Sequence, residues 1–439
     1  MIKSVDAGMR SGTLVVPASK SMAHRKMICA ALSNRPSKLV CEGLSKDIMA
    51  TMRCLGALSA EFIQNEDAEI EIKPIDRTSF RGDSGKELQL YCGESGSTLR
   101  FILPIAAALG IPVRFHMEGK LSKRPHEELI AQLRAHGAMI YQAGELLYCS
   151  GHIQAGEYVI PGDISSQFIS GLLFALPLLD GTSTLQISGR IESGAYIAMT
   201  EQAITESGIR FQKDDRTYTI PGRQEYCAEA VSAVERDWSN AAFFLCLGAL
   251  SDKGITVKSM NPLSAQGDRN FISILRQFGA EVSITDGAGT LSADSLENLR
   301  STDVAITVKR APLHACKIDA SEIPDLVPIT AVLAAGAVGD TLIYGAARLR
   351  YKESDRLQAT AALICSLGGR AEETADGLLI HGDGRLSGGE VNAFNDHRIA
   401  MSAAVAASLC SANVRINGAE SVEKSYPAFF ADFEHLSIL

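Results

Sequence analysis

E-E-L-I-A-Q-L-R-A-H-G-A, residues 127–138, reads as one helix closed by a glycine. The apolar spacing is helical, and Gly137 suits the left-handed position that commonly follows a helix. An alternating run at 139–141 then has the period of a half-buried strand. Four other segments share this form: D-I-M-A-T-M-R-C-L-G-A at 47–57, Y-I-A-M-T-E-Q-A-I-T-E-S-G-I at 196–209, F-I-S-I-L-R-Q-F-G-A at 271–280 and L-Q-A-T-A-A-L-I-C-S-L-G-G at 357–369. Their glycines, Gly56, Gly208, Gly279 and Gly368, take the same place after a helix, and strands follow at 61–63, 210–212 and 281–284. The intervals are too long for a solenoid and suit a unit of strands and two helices copied several times. A sixth copy, ending in P-A-F-F-A-D-F-E-H-L at 427–436, completes two groups of three, with the boundary near Trp238. The fold class is therefore α/β with internal repeats. Hairpin-type turns are expected at P-G-R (221–223), D-G-A-G (286–289) and G-D-G (382–384).

With 439 residues, the chain is long enough for two or more domains. Hydrophobic residues make up 46% and charged ones 21%, an ordinary globular balance. A net charge of −9 without a long basic run argues against nucleic acid as a partner. The ten cysteines include no C-x-x-C pair and sit mostly in apolar segments, among them Cys29, Cys54, Cys246, Cys365 and Cys410. They read as reduced core residues of a cytoplasmic protein. No apolar leader follows Lys3, and no stretch has eighteen uninterrupted apolar residues, so neither export nor a membrane span is expected.

The chemistry is signalled by misplaced cations. In P-A-S-K-S-M-A-H-R, residues 17–25, the apolar run 14–16 reads as a strand, Pro17 ends it, and Ser19 is placed as a helix N-cap. Lys20 and Arg25 then fall in the first two turns, at the positive end of the helix dipole, where cations are disfavoured unless an anion docks. Ser21 and Arg25 share a face. For one stretch alone, an exposed Lys and Arg on an ordinary helix remains the competing reading. The pattern recurs, however. G-E-S-G-S-T-L-R (93–100) is a glycine- and hydroxyl-rich loop entering an apolar helix, and L-S-K-R-P-H-E-E-L puts Lys123 and Arg124 just before another. D-I-S-S-Q-F (163–168) gathers polar donors at a helix start. R-L-R-Y-K-E-S-D-R (348–356), N-D-H-R (395–398) and E-K-S-Y-P (423–427) each open a helix. Six cation-bearing helix starts suggest polyanionic ligands. Asp325, in S-E-I-P-D-L-V-P, and Glu353, read as lying on the first turn of its helix, stand among these cations, either as acid–base groups or as ion-pair partners. Asp355 and Asp396 read as N-caps.

Together, P-x-S-K-S-x-x-x-R, G-x-S-G-x-x-x-R, K-R-P, S-S-Q-F, K-E-S-D-R, N-D-H-R and K-S-Y-P, in this order from residue 17 to residue 427, resemble the 5-enolpyruvylshikimate-3-phosphate synthase family. The resemblance implies an α/β fold of two similar domains, each of three β-α-β-α-β-β repeats about a pseudo-threefold axis, with a ligand cleft between them. It implies a first domain over 19–238 on the shikimate 3-phosphate side, and a second over 1–18 and 239–439 on the phosphoenolpyruvate side. The implied reaction joins phosphoenolpyruvate to the 5-hydroxyl of shikimate 3-phosphate by addition and elimination, releasing phosphate. Such chemistry needs proton transfer and electrostatic support for phosphates and carboxylates. By motif position, Lys20, Arg124, Arg356, Arg398 and Lys424 would cage phosphoenolpyruvate beside Gly96 and Gln167. Ser21, Arg25, Ser165, Ser166, Gln167, Ser193, Tyr196, Asp325 and Lys352 would hold shikimate 3-phosphate. Asp325 and Glu353 would transfer protons, assisted by Lys20, and His397 is either a helper or a structural residue. No cluster has metal-ligand spacing, so no metal or other cofactor is implied. The family expectation is a cytoplasmic monomer acting on small molecules.

Two departures stand out: Glu94 where Asn is common, and Arg348 where many members have Asn, which adds a donor near the shikimate phosphate. Two other readings compete. One is the sister transferase acting on UDP-N-acetylglucosamine, which typically carries a reactive Cys around 115–125, where this chain has none. The other is a non-catalytic relative, against which Lys20, Asp325 and Glu353 are all retained.

Overall fold

The structure, a computed structural model, describes residues 1–65, 68–77, 87–286, 289–291 and 301–439. The chain divides into two units, Lys20–Val234 and Met1–Ser19 with Glu235–Leu439.

In Lys20–Val234 one connection pattern occurs three times. Strand Leu88–Gly93 leads into helix Gly96–Leu109, strand Val113–Met117, helix Glu127–Ala135, and the antiparallel strands Ala138–Ala143 and Leu146–Gly151. The first two strands pair in parallel, which requires a crossover, here a helix. Leu146–Gly151 then pairs antiparallel with Val113–Met117, leaving Ala138–Ala143 at the edge. Glu157–Pro161, Ser166–Ala175, Ser183–Ser188, Gly194–Glu206, Gln212–Asp214 and Thr217–Ile220 repeat this order. In the third copy, Ser37–Val40, Glu61–Gln64 and Glu69–Lys73 come early, and the first strand is supplied from the far end by Val231–Ala233.

Among its described residues the other unit holds three further sheets. Lys317–Asp319, Val338–Tyr344, Leu378–Asp383 and Arg370–Glu373 form one with the same order. In the second, Arg10–Leu14 pairs parallel with Ile255–Met260, followed by Val304–Lys309, Glu281–Asp286 and Gly289–Leu291, while Ser437–Ile438 borders Arg10–Leu14. The third sheet is short: Gly389–Asn392 lies parallel to Val414–Asn417, and Ile2–Val5 fills the antiparallel place. The chain's start thus completes a sheet begun near its end.

In five of the repeats one helix is buried along almost its whole length, as a helix apolar around its circumference must be. Every residue of Val327–Ala335 and of His397–Ala406 is buried, and every residue of Trp238–Ala249 except Ser239. In the other unit Ser166–Ala175 is buried except for Gln167, and Gly96–Leu109 except for Ser97 and Leu109. The exceptions Ser239, Gln167 and Ser97 are each the second residue of their helix. That place is where polar side chains of these otherwise dry helices reach the surface of their unit.

Several local expectations are corrected. Gly137, Gly208, Gly279 and Gly368 do follow their helices with positive φ, but Gly56 lies inside helix Lys46–Ala57. The helix continues until the Leu58 N–H closes on the Cys54 carbonyl, and Ser59 takes the left-handed position with φ 77°. The strand expected at 14–16 lies at Arg10–Leu14. Beyond it, the carbonyls of Val16 and Pro17 accept from Arg236 and from the Asp237 N–H instead of a sheet neighbour. The strand expected at 210–212 begins at Gln212, because the Arg210 N–H donates to Gln224. Neither 221–223 nor 382–384 is a hairpin. A Cβ on Gly222 would stand 2.2 Å from the Leu179 carbonyl oxygen, and one on Gly382 2.2 Å from that of Ala334, so these glycines permit close backbone approach. The expected turn at 286–289 includes residues 287–288, outside the described set. Of the ten free cysteines seven are buried, but Cys365 is exposed.

Candidate active site

The predicted residues of the Lys20–Val234 unit gather at helix starts. Lys20 is the first residue of helix Lys20–Ala31, and its ammonium pairs with Asp47 at 3.0 Å. Ser21 is next, and its carbonyl accepts from Arg25 Nη1 at 2.7 Å. Arg25 is buried, donates Nε to Thr200 Oγ1 and Nη2 to the Tyr196 carbonyl, both at 2.8 Å, and lies 5.2 Å from the Phe101 ring centroid. Burial lowers its pKa to about 10, which leaves it charged at neutral pH. Ser193 precedes helix Gly194–Glu206 in the left-handed region, φ 55°, a strained conformation for a non-glycine residue.

Gly96 opens helix Gly96–Leu109, capped by Ser95, whose Oγ accepts from the Thr98 N–H. Arg124 lies against it: a Cβ on Gly96 would be 2.9 Å from Arg124 Nη1. Ser165 caps helix Ser166–Ala175 by accepting from the Gln167 N–H, so Ser166 and Gln167 are that helix's first two residues. Buried Arg100 orients Gln167 by donating Nη1 to its Oε1 at 2.7 Å, while Gln167 Nε2 donates to Ser97 Oγ at 2.8 Å. Arg100 also donates Nε to His126 Nδ1 at 3.4 Å. Burial, then Arg100, drop the His126 pKa to about 3, so the ring is neutral, accepts at Nδ1 and donates from Nε2 to the Leu121 carbonyl. His24 Nδ1, Thr51 Oγ1, Thr98 Oγ1 and Ser95 Oγ form a buried hydrogen-bonded chain joining helices Lys20–Ala31, Lys46–Ala57 and Gly96–Leu109.

In the other unit the centre is Arg356, the first residue of helix Arg356–Ser366 and 2% exposed. Its Nη1 reaches Asp325 at 2.7 Å, Nη2 reaches Glu353 at 2.6 Å, and Nε reaches Asp396 at 2.8 Å. Burial alone would lower the Arg356 pKa, but Asp396, Glu353 and Asp325 outweigh it and hold the guanidinium ionised. Asp396, 0% exposed, caps helix His397–Ala406 and also accepts from Ser354. Glu353 lies two residues before the cap Asp355 rather than on the helix, a correction with a consequence: its side chain folds back onto Arg356.

Arg398 donates Nη1 to the Asp325 carbonyl at 2.8 Å, and Nη2 to Asp325 Oδ2 at 3.2 Å and Ser239 Oγ at 3.3 Å. Lys352 stands 3.6 Å from Asp325, and burial lowers its pKa to about 8 against the pull of Asp325; solvent moderates the shift, since 27% of the side chain is exposed. Arg348 donates to the Ser321 carbonyl at 2.6 Å, and Lys424 to the Asn395 carbonyl at 2.7 Å. His397 is buried, its Nδ1 3.9 Å from Asp396, beyond hydrogen-bond reach. Asp325 is thus shared by three cations while keeping 15% exposure.

Of the six cation-bearing helix starts, three place the cation in the first turn: Lys20, Arg356 and Arg398. Arg100 is the fifth residue of its helix, Lys123 and Arg124 precede theirs, and Lys424 closes the turn Ala419–Lys424. Sequence reasoning missed Asp47, Thr200, Ser239 and Asp268. The available signal for Ser239 was its place, second in an apolar helix, shared with Gln167. Among the described residues no group of His, Cys, Asp and Glu is arranged to hold a metal, and no helix is long and apolar enough to cross a membrane.

The sequence model of EPSP synthase (3-phosphoshikimate 1-carboxyvinyltransferase) matches residues 7–433. A 3-phosphoshikimate 1-carboxyvinyltransferase of Clostridium acetobutylicum is 39% identical, over 97% of this chain and 95% of that protein. One from Clostridium kluyveri is 38% identical over 99% and 96%. In fold, the chain is similar to EPSP synthase from Acinetobacter baumannii, with a TM-score of 0.79 at 24% identity over 100% and 98% of the two chains. It is also similar to the enolpyruvyl transferase NikO from Streptomyces tendae, with a TM-score of 0.74 at 15% identity over 100% and 98%. A match spanning nearly the whole sequence, joined to relatives of this identity and coverage, establishes that the chain belongs to the EPSP synthase family.

Proposed function

We propose that this protein transfers the enolpyruvyl group of phosphoenolpyruvate to the 5-hydroxyl of shikimate 3-phosphate and releases phosphate. The observation that carries the reading is the full-length similarity to relatives named 3-phosphoshikimate 1-carboxyvinyltransferase. The local geometry supports it. Two carboxylates, Asp325 and Glu353, are held on one buried guanidinium and retain solvent access, as proton-transfer groups need. In this reading Lys20, Arg124, Arg356, Arg398 and Lys424 bind phosphoenolpyruvate, next to Gly96 and Gln167. Ser21, Arg25, Ser165, Ser166, Gln167, Ser193, Tyr196, Asp325, Arg348 and Lys352 bind shikimate 3-phosphate. Asp325 and Glu353 move the protons with the help of Lys20. Preorganised cations stabilise the charge that develops at phosphate and carboxylate in the transition state. The protein acts in this reading as a cytoplasmic monomer, on small molecules alone.

The test is phosphate release from purified protein with phosphoenolpyruvate, with shikimate 3-phosphate or UDP-N-acetylglucosamine as acceptor. Release that depends on shikimate 3-phosphate and disappears in Lys20→Ala and Glu353→Ala is the expected result. Release only with the nucleotide sugar would overturn the acceptor assignment, and no release with either would overturn the enzymatic reading.

A further inference from the structure

Ser239 is the one residue of helix Trp238–Ala249 that is not buried. Its hydroxyl meets Asp268 Oδ2 on one side and Arg398 Nη2, at 3.3 Å, on the other. A hydroxyl has one proton, and an ionised carboxylate only accepts. The proton therefore goes to Asp268, and the Ser239 lone pairs turn toward Arg398. Both hydrogens of Arg398 Nη2 are then committed, one to Ser239 and one to Asp325 Oδ2. Asp268 belongs to the turn Gly267–Asn270 and is 3% exposed, and its Oδ1 has no hydrogen-bond partner. A carboxylate kept in so poor an environment does little for the fold. Burial raises its pKa to about 6, while the charge of Arg398 and the hydrogen bond from Ser239 each oppose the rise.

We propose that Ser239 and Asp268 are positioning residues for Arg398, fixing the guanidinium that binds the anionic groups of phosphoenolpyruvate. The inference rests on the reading of Arg398 as a phosphoenolpyruvate contact. Its physical point is independence from Asp325. That carboxylate also holds Arg356 and Lys352 and changes protonation in the proposed reaction. Ser239 gives Arg398 a second anchor, a hydroxyl that does not itself titrate and that the Asp268 charge backs above about pH 6.

The test compares Ser239→Ala, Ser239→Thr, Asp268→Asn and Arg398→Lys in phosphate release, with phosphoenolpyruvate varied at saturating shikimate 3-phosphate and the reverse. Ser239→Ala and Asp268→Asn should raise KM for phosphoenolpyruvate about fivefold or more, with kcat and KM for shikimate 3-phosphate within about twofold. Ser239→Thr, which keeps the hydroxyl, should restore the parent KM. The inference is overturned if Arg398→Lys raises that KM while Ser239→Ala and Asp268→Asn leave it unchanged. If Arg398→Lys itself leaves it unchanged, the assignment of Arg398 fails instead. Calorimetric melting of each variant separates both outcomes from loss of fold.

Discussion

Replacing Asp396 by Ala is the sharpest perturbation of the carboxylate–guanidinium centre. Asp396 accepts from Arg356 Nε at 2.8 Å, Ser354 Oγ at 2.9 Å and the Arg398 N–H at 3.0 Å. Alanine leaves all three donors buried without that acceptor. Breaking a buried ion pair from one side costs about 3–5 kcal/mol. Loss of the helix cap adds about 1 kcal/mol. Arg356 keeps Asp325 and Glu353, which places the sum toward its lower end, at about 4 kcal/mol. For a folding unit of 150–250 residues each kcal/mol moves Tm by about 2–4 °C, so the transition of this unit should fall by roughly 8–16 °C. Differential scanning calorimetry of the whole chain reads the shift. Asp396→Asn keeps one acceptor oxygen, for the cap N–H, but puts an NH2 group where Oδ2 accepts from Ser354 and Arg356 Nε, so it should recover only the cap's share of about 1 kcal/mol and still lose about 3 kcal/mol. A fall of less than about 3 °C in Asp396→Ala would refute the reasoning, because it would mean that Arg356 needs only two of its three carboxylates.

Three further outcomes are expected. Gly96→Ala puts a methyl 2.9 Å from Arg124 Nη1, the far end of a flexible side chain; Tm should stay within about 2 °C while KM for phosphoenolpyruvate rises about tenfold, and an unchanged KM would separate Arg124 from that substrate. Lys352, with its pKa lowered to about 8, loses its charge as pH rises through that value, so kcat/KM for shikimate 3-phosphate should decline above about pH 8; Lys352→Arg should carry the decline to higher pH, and an identical profile would assign it to another group. For Asp268 the folded-state pKa of about 6 lies above the ordinary 3.8, so the folded protein holds a proton that the unfolded chain has released between those values. Its ionisation thus costs stability on the order of 3 kcal/mol above pH 6 and nothing below about pH 3.8. The stability of Asp268→Asn relative to the parent, measured by urea denaturation, should accordingly improve as pH rises from about 4.5 to 7.5, and a change of opposite sign would contradict this account.

The repeats were legible because each copy spells out a helix, its closing residue and a strand within about twenty residues. The caps were legible for the same reason: Asp355 and Asp396 each accept from an N–H two or three residues on. Errors arose where a local signal had a distant cause. Gly222 and Gly382 look like turn residues in isolation, yet each is small to let a remote carbonyl approach. Gly56 looked like a helix end, but Leu55 and Leu58 are both fully buried, and packing carries the helix past it. At the site, Lys20, Arg356 and Arg398 announced themselves by opposing the helix dipole. Asp325 and Glu353, which pair with Arg356, were flagged in the same motifs, but other partners of the site's cations were not. Asp47 is 27 residues from Lys20, Thr200 lies 175 from Arg25 and Ser239 lies 159 from Arg398. No spacing rule reaches across such separations, and only the fold brings the pairs together.

The central claim is the identity of the product. Phosphoenolpyruvate and shikimate 3-phosphate incubated with the purified protein, followed by phosphorus NMR and mass spectrometry, test it most directly. The account predicts that phosphoenolpyruvate is lost in step with the appearance of inorganic phosphate, and that shikimate 3-phosphate becomes heavier by one enolpyruvyl group carried on its 5-oxygen. Phosphate released while shikimate 3-phosphate returns at its original mass would contradict it.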